Sequence, residues 1–193
     1  MLKKNQINRI NGYYQNIVIG FGKGGKTLAA WLSANGQEVA VIEQSSAMYG
    51  GTWMNIACIP TKSLITNAAR GIPYSDAHAI KDQLTSLLRK KNYDKVVNGD
   101  KAVVIDGTAR FIGPGRIEVT TASGVHEMSA DRIFINTGTR PATPSIPGVF
   151  GRHIYNSTTL MEQTERPGHL LVVGGGYVGL EFASMFLEFG AKV

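Results

Sequence analysis

Residues 49–62, YGGTWMNIACIPTK, gather the residue types that could do chemistry: the chain's one cysteine, Cys58, followed by Pro60, Thr61 and Lys62. Those last three residues are predicted to open a helix. A thiol near a helix N-terminus meets free amides and the positive end of the dipole, and a nearby lysine acts in the same direction, so the thiolate is favoured. Such a thiolate could donate charge to an electron-poor ring or attack an oxidised substrate. A plainer reading stands beside it: a lone cysteine is often an inert, buried thiol kept for its size. With a single cysteine, no disulfide can form within the chain.

Two glycine-rich turns flank this stretch, GFGKGG at residues 20–25 and GGGYVG at residues 174–179. In the first, residues 16–20 read as a short buried strand running straight into Gly20, Gly22 and Gly25. Residues 25–35 have helical periodicity, with Gly36 where a C-cap belongs, and residues 38–42 read as a second strand. The first glycine permits a tight turn, the second lets backbone approach a pyrophosphate, and the third lets helix pack on strand. The helix N-terminus then offers its amides to the anion. Glu43 follows about 20 residues on, at the strand end, where a carboxylate would take ribose hydroxyls. Gly50, Gly51 and Thr52 can approach the same dinucleotide closely and offer it a hydroxyl.

The second turn repeats the pattern. Residues 170–173 read as a strand, Gly174, Gly176 and Gly179 as the turn, and residues 180–189 as an amphipathic helix ended by Gly190. No acidic or basic ribose reader follows before Val193. Two such fingerprints in one chain are far more specific than one.

The elements that must position these residues are the rest of one βαβ unit, with its right-handed crossover, and what packs on it. Residues 64–70 continue the helix begun at Pro60, ended by Gly71 and Pro73. Residues 75–91 read as a covering helix with Ile80, Leu84, Leu87 and Leu88 on its buried side and His78 solvated. Strands at 102–105, 116–120 and 132–135, separated by turns at 113–115 and 123–124, suggest a small antiparallel meander that returns into the main sheet before Asn136, Thr137 and Gly138. Residues 140–148, with three prolines, read as a domain exit. The expected organisation is a mobile leader over 1–12, a dinucleotide-binding domain over 13–148, and the start of a second over 149–193.

Composition narrows the class. A hydrophobic share of 43% and mean hydropathy near zero describe a soluble globular protein, and no apolar run is long enough to span a bilayer. The basic N-terminus lacks a secretory core, so the cytoplasm is the expected compartment. The net charge of +6 is spread along the chain rather than set in a stripe, which argues against a nucleic-acid partner. His126, His153 and His169 show no metal-ligand spacing and read as structural or solvated.

These residues resemble the class I pyridine nucleotide–disulfide oxidoreductases, the group of glutathione reductase, dihydrolipoamide dehydrogenase and mercuric reductase. Within that group FGKGGKTLA, EQSSAMYGGT, CIPTK, IFINTG and GGGYVGLEFASMF look most like the bacterial reactive-chlorine-resistance flavoproteins. The resemblance implies an α/β fold: a Rossmann-like FAD-binding domain with a β-meander, then the start of a Rossmann-like NAD(P)-binding domain. It assigns FAD contacts to Gly20, Gly22, Gly25, Glu43, Gly51, Thr52, Thr137 and Gly138. Cys58 takes the role of the flavin-proximal thiol and Lys62 that of the lysine beside the flavin, with Glu181 as its partner. Tyr177 becomes the gate over the nicotinamide pocket, and Gly174, Gly176 and Gly179 the second pyrophosphate turn.

Two departures follow from the same resemblance. The family has a cysteine where this chain has Trp53, so its redox disulfide cannot form; an indole there could simply fill space. The family's chains also run on to a domain that carries a His–Glu acid–base pair and contributes to a homodimer. The expected function is therefore an NAD(P)H-dependent flavoprotein oxidoreductase using FAD and NADH or NADPH. Its acceptor would be a small oxidant or disulfide-type substrate, reduced with no membrane partner. The alternatives are an inactive or partial FAD-binding fragment, marginally stable by itself, and a dinucleotide-binding sensor module.

Overall fold

The computed structural model describes residues 12–193; apart from Gly12, the expected leader lies outside them. The chain forms two compact units. One comprises the described residues up to Asn55 together with Leu87–Gly138, and the other Ile56–Ser86 with Thr139–Val193.

The first unit is built on β1 (Gly12–Ile19), α1 (Lys23–Ala34), β2 (Val39–Glu43), α2 (Thr52–Asn55), β3 (Ala102–Asp106), β4 (Thr108–Gly113), β5 (Arg116–Thr121) and β6 (Gly124–Ile135). They make one six-stranded sheet in the order β3-β2-β1-β6-β5-β4. Strands β3, β2, β1 and β6 run parallel, with Ile17 opposite both Ala40 and Ile133 and Val41 opposite Val104. Alternate residues bury on opposite faces: Val18, Val39, Val41 and Val104 pack with Ala29 and Leu32 of α1. Ile17, Ala40, Ile42, Val103 and Ile105 pack with Ile117, Val119 and Met128 of the antiparallel arm. Burial on both faces explains why these strands are near-continuous apolar runs.

That pairing corrects the expected meander. The strand at 102–105 belongs to the parallel sheet beside β2, and the antiparallel arm is β4–β5–β6. An apolar run such as AVVI has no periodicity that distinguishes a core parallel strand from a meander strand. β4, with Arg110 and Phe111 partly or largely exposed, was not anticipated. β6 is one long strand whose first part pairs antiparallel with β5 and whose later part runs parallel to β1.

In the second unit, α3 (Cys58–Ala69), the first part of α4 (Tyr74–Val97), α5 (Ser157–Met161) and α6 (Tyr177–Glu188) enclose a core of Leu64, Tyr74, Leu160, Phe182, Met185 and Phe186. Tyr74 donates its hydroxyl to the Gln163 carbonyl at 2.9 Å, and burial raises its pKa to about 12. The short α5 was not read from the sequence, although Asn156 and Thr159 form a reciprocal capping box at its start.

Helix α4 turns the opposite way from the expected one. Ile80, Leu84 and Leu87 are exposed at 40%, 36% and 52%, while Ala77, His78, Lys81 and Thr85 are buried. His78 is thus not solvated. The reason is the end of α5: Lys81 Nζ donates to the Met161 carbonyl at 2.7 Å, and His78 Nε2 lies 3.1 Å from that oxygen. Asp82 pairs with both, 2.9 Å from Lys81 and 3.3 Å from His78. A lysine stem is itself apolar, so its burial is favourable once the ammonium has partners.

The expected strand at 170–173 forms no ladder among the described residues. Its neighbourhood has one parallel bridge, His169 with Lys192, and the hydrogen bond Leu170 N to Lys192 O at 2.8 Å. Leu171 and Val173 are 83% and 79% exposed. An apolar run becomes a strand only where a neighbour accepts its amides and covers its faces.

Candidate functional site

The first glycine turn sits where β1 ends between β2 and β6, the point at which strand order reverses and α/β sheets bind ligands. Gly20 has φ 106° and its amide donates to the Ile42 carbonyl at 2.7 Å. A Cβ on Gly20 would lie 2.2 Å from the Asn136 carbonyl oxygen, and one on Gly25 would lie 2.4 Å from the Gly20 carbonyl oxygen. Both positions therefore demand glycine. Phe21 between them is fully buried against Tyr49, ring centroids 4.8 Å apart. Its amide donates to Glu43 Oε2 at 2.9 Å, and Ser45 N donates to Oε1 at 3.2 Å, which fixes this buried carboxylate beside the turn.

Helix α1 begins at this turn with Gly22 as its N-cap, no capping side chain and no acidic residue in its first turn. Its first and fourth residues are instead Lys23 and Lys26. Positive charge at the positive end of a helix is unfavourable until an anion joins it. Lys26 is buried with its ammonium on Asn92 Oδ1, and burial, then Lys23 and Lys95, lower its pKa below the ordinary lysine value.

The loop before α2 folds onto the same turn. Gly50 N donates to Phe21 O at 2.9 Å, and a Cβ on Gly51 would lie 2.6 Å from Gly22 Cα. Asn55 Nδ2 closes the loop from behind, on Tyr49 O and Gly51 O at 3.1 and 2.9 Å. Tyr49 stacks on Tyr93 and donates to Asp106 Oδ1 at 2.6 Å; burial raises its pKa far above the ordinary phenol. Trp53 projects from α2 with 45% of its surface exposed, and Lys23 Nζ lies 5.6 Å from its ring centroid. From β6, Asn136 N donates to Ile19 O at 2.8 Å and its Nδ2 to Gly20 O at 3.1 Å. Thr137 and Gly138 follow on the exposed edge, with Gly138 near Thr52: a Cβ on it would lie 3.9 Å from Thr52 Oγ1.

The structure thus brings together Gly20, Gly22, Gly25, Glu43, Gly51, Thr52 and Gly138 at the carboxyl ends of three parallel strands. Sequence reasoning missed the residues that hold this arrangement, Asn136, Tyr49 and Lys26. An asparagine following a strand carries no signal of its partner more than a hundred positions away.

In the second unit, Cys58 is exposed as the first residue of α3, above an N-cap, Ala57, that supplies no side-chain hydrogen bond. It is therefore not a buried space-filling thiol. One turn on, Lys62 Nζ lies 2.8 Å from Glu181 Oε1 of α6, which also accepts from Thr61 Oγ1 at 2.9 Å. The Lys62 hydrogen bond holds the Glu181 carboxyl below the usual carboxylate range, and Glu181 in turn raises Lys62. Around the second glycine turn only Gly179 is tightly packed, its Cβ position 2.5 Å from Gly174 O; Gly174 and Gly176 face open space. Tyr177, the first residue of α6, is 85% exposed. Among the described residues no three His, Cys, Asp or Glu side chains gather to hold a metal, and no helix is long and apolar enough to cross a membrane.

Comparison with known proteins agrees with this geometry. Residues 14–193 match the family model described as pyridine nucleotide-disulphide oxidoreductase. The chain is 47% identical over 181 residues to the probable pyridine nucleotide-disulfide oxidoreductase RclA of Escherichia coli, covering 93% of this chain and 41% of that protein. It is 34% identical over 199 residues to a mercuric reductase of Streptomyces lividans, covering 93% of this chain and 42% of the relative. A solved Cu(II) complex of the HOCl-induced flavoprotein disulfide reductase RclA from E. coli superposes with a TM-score of 0.91 at 46% identity, over 93% of this chain and 41% of the other. The chain spans about two-fifths of the length of these relatives, and it belongs to the pyridine nucleotide-disulphide oxidoreductase family.

Proposed function

We propose that this chain acts as an FAD-dependent pyridine nucleotide oxidoreductase, passing electrons from NADH or NADPH through FAD to a small oxidant, with Cys58 as the single participating thiol. The observation that carries this reading is the convergence of Gly20, Gly22, Gly25, Gly51 and Glu43 on the uncapped, lysine-bearing N-terminus of α1. That cradle fits a dinucleotide. A pyrophosphate would satisfy free amides and offset Lys23 and Lys26, while Glu43, held by two backbone amides, keeps acceptor capacity for ribose hydroxyls. Thr52, Thr137 and Gly138 would line its further reach. Bound FAD supplies two-electron acceptance from a nicotinamide and its onward delivery.

The remaining roles come from this chain's own residues. Gly174, Gly176 and Gly179 offer the amides of α6 to the nicotinamide dinucleotide, and exposed Tyr177 is free to cover or release its ring. Lys62, oriented by Glu181, supplies a fixed positive charge one turn from Cys58. Trp53 stands where the family resemblance expects a second thiol, so Cys58 has no disulfide partner in this chain. An oxygen-atom donor would oxidise the Cys58 thiolate to a sulfenic acid. Two electrons and two protons would then return it to the thiol with release of water.

The test is the visible absorption of the purified chain with FAD, before and after anaerobic NADH. The expected result is a flavin band that bleaches, with a long-wavelength shoulder lost in Cys58→Ser. A chain that takes up no FAD would overturn the reading. A second reading, dinucleotide binding without turnover, is favoured by residues 170–173, which form no strand ladder among the described residues beneath the second turn. It expects the flavin band to be retained and NADH to leave it unchanged.

A further inference from the structure

Trp53 stands where the family resemblance expects a thiol, and the structure gives it a setting. The loop that carries it is pressed onto the glycine turn, since a Cβ on Gly51 would meet Gly22 Cα at 2.6 Å. Two residues on, the Trp53 indole leaves nearly half its surface to solvent. Its neighbour Met54 takes the core position instead and is 1% exposed. The indole therefore does not fill space in the core. It borders the cradle, and Lys23, the residue directly after Gly22, holds its ammonium 5.6 Å from the ring centroid.

An exposed indole face and an exposed cation beside a phosphate-accepting turn are the two elements that recognise a planar heteroaromatic ring attached to phosphate. We propose that Trp53 is a stacking platform for a ring of the bound dinucleotide, and that Lys23 exchanges the indole for the pyrophosphate when the ligand enters. The position where the resemblance expects a thiol would here serve binding. This inference rests on the proposed FAD site. It concerns ligand recognition by Trp53 and Lys23 and requires no turnover.

The exchange has consequences that differ from those of a surface aromatic. Stacking of this kind is worth about a 2- to 10-fold change in affinity, and a stacked indole quenches flavin emission. The experiment measures FAD affinity by ultrafiltration and the emission of the bound flavin in the full chain, in Trp53→Leu and in Trp53→Phe. The expected result is a Kd raised about 2- to 10-fold in Trp53→Leu, brighter bound flavin, and an intermediate Trp53→Phe. Lys23→Met should weaken binding and flatten its salt dependence. ADP and FMN identify the ring. A loss confined to FAD and FMN places the isoalloxazine on Trp53, whereas a loss shared by ADP places the adenine there.

Equal affinity and equal emission in the full chain and Trp53→Leu would overturn the inference and leave the FAD site standing. Flavin retained by Trp53→Leu alone would also overturn it, because the indole would then be a plug. No retained flavin in any variant would overturn the FAD site and this inference together.

Discussion

Lys62 of α3 and Glu181 of α6 meet at 2.8 Å, 119 positions apart in sequence, and Thr61 donates to the same carboxylate oxygen at 2.9 Å. The pair ties the helix that begins with Cys58 to the helix that follows the second glycine turn.

The pair makes a prediction with two pH edges. Glu181 is lowered by Lys62, so its contribution is present above the unfolded carboxylate pKa and is lost as pH falls through the lowered folded value. Lys62 is raised by Glu181, so its contribution is present below the unfolded lysine pKa and is lost as pH rises through the raised folded value. The denaturation midpoint of the wild type should exceed that of Glu181→Gln on a plateau between about pH 5 and 10 and converge with it on both sides. A difference that ignores pH would mean the carboxylate acts by shape alone.

The two glycine turns should differ in tolerance. Gly25→Ala drives a methyl into the Gly20 carbonyl at 2.4 Å, a steric conflict of about 1–3 kcal/mol, and should abolish FAD retention. Gly176 has φ −74° and open space around it, so Gly176→Ala should stay within about 0.5 kcal/mol of the parent. Urea melts of the two variants decide it; equal losses would show that the first cradle is not the tighter one.

Asn136 holds the first turn from the side of β6. Asn136→Ala removes the donor to Gly20 O and should cost about 1 kcal/mol in stability. Asn136→Asp adds a like charge beside the phosphate site and should weaken FAD more than Asn136→Ala does. The reverse order of affinities would refute a phosphate at this turn.

Helix α4 allows a comparison of its two faces. Lys81→Ala strips the Met161 carbonyl of a buried donor and should cost about 1–3 kcal/mol. Leu84→Gln changes an exposed side chain and should move stability by no more than about 0.5 kcal/mol. If Leu84→Gln is the more damaging, its side is a packed one.

The sequence by itself determined what local pattern and backbone geometry can encode. The buried strands ending at Ile19 and at Glu43, the helix between them and the glycines of the tight turn, Gly20 with its positive φ and Gly25 against the Gly20 carbonyl, all follow from short-range sterics and apolar runs. So does the helix expected from Pro60, with the single thiol near its start; the structure begins it two residues earlier, at Cys58. The tertiary structure decided what depends on distant partners. Residues 102–105 joined the parallel sheet because β2 offered them an edge, whereas residues 170–173 formed no ladder among the described residues beyond the Leu170 amide on the Lys192 carbonyl. α4 buried Ala77, His78, Lys81 and Thr85 beside the Met161 carbonyl and left Ile80, Leu84 and Leu87 exposed, because its packing partners come from a segment some eighty positions away. Asn136, Tyr49 and the Lys23–Trp53 contact were invisible for the same reason: a hydrogen bond or ring contact between residues far apart in sequence exists only once the backbone has brought them together.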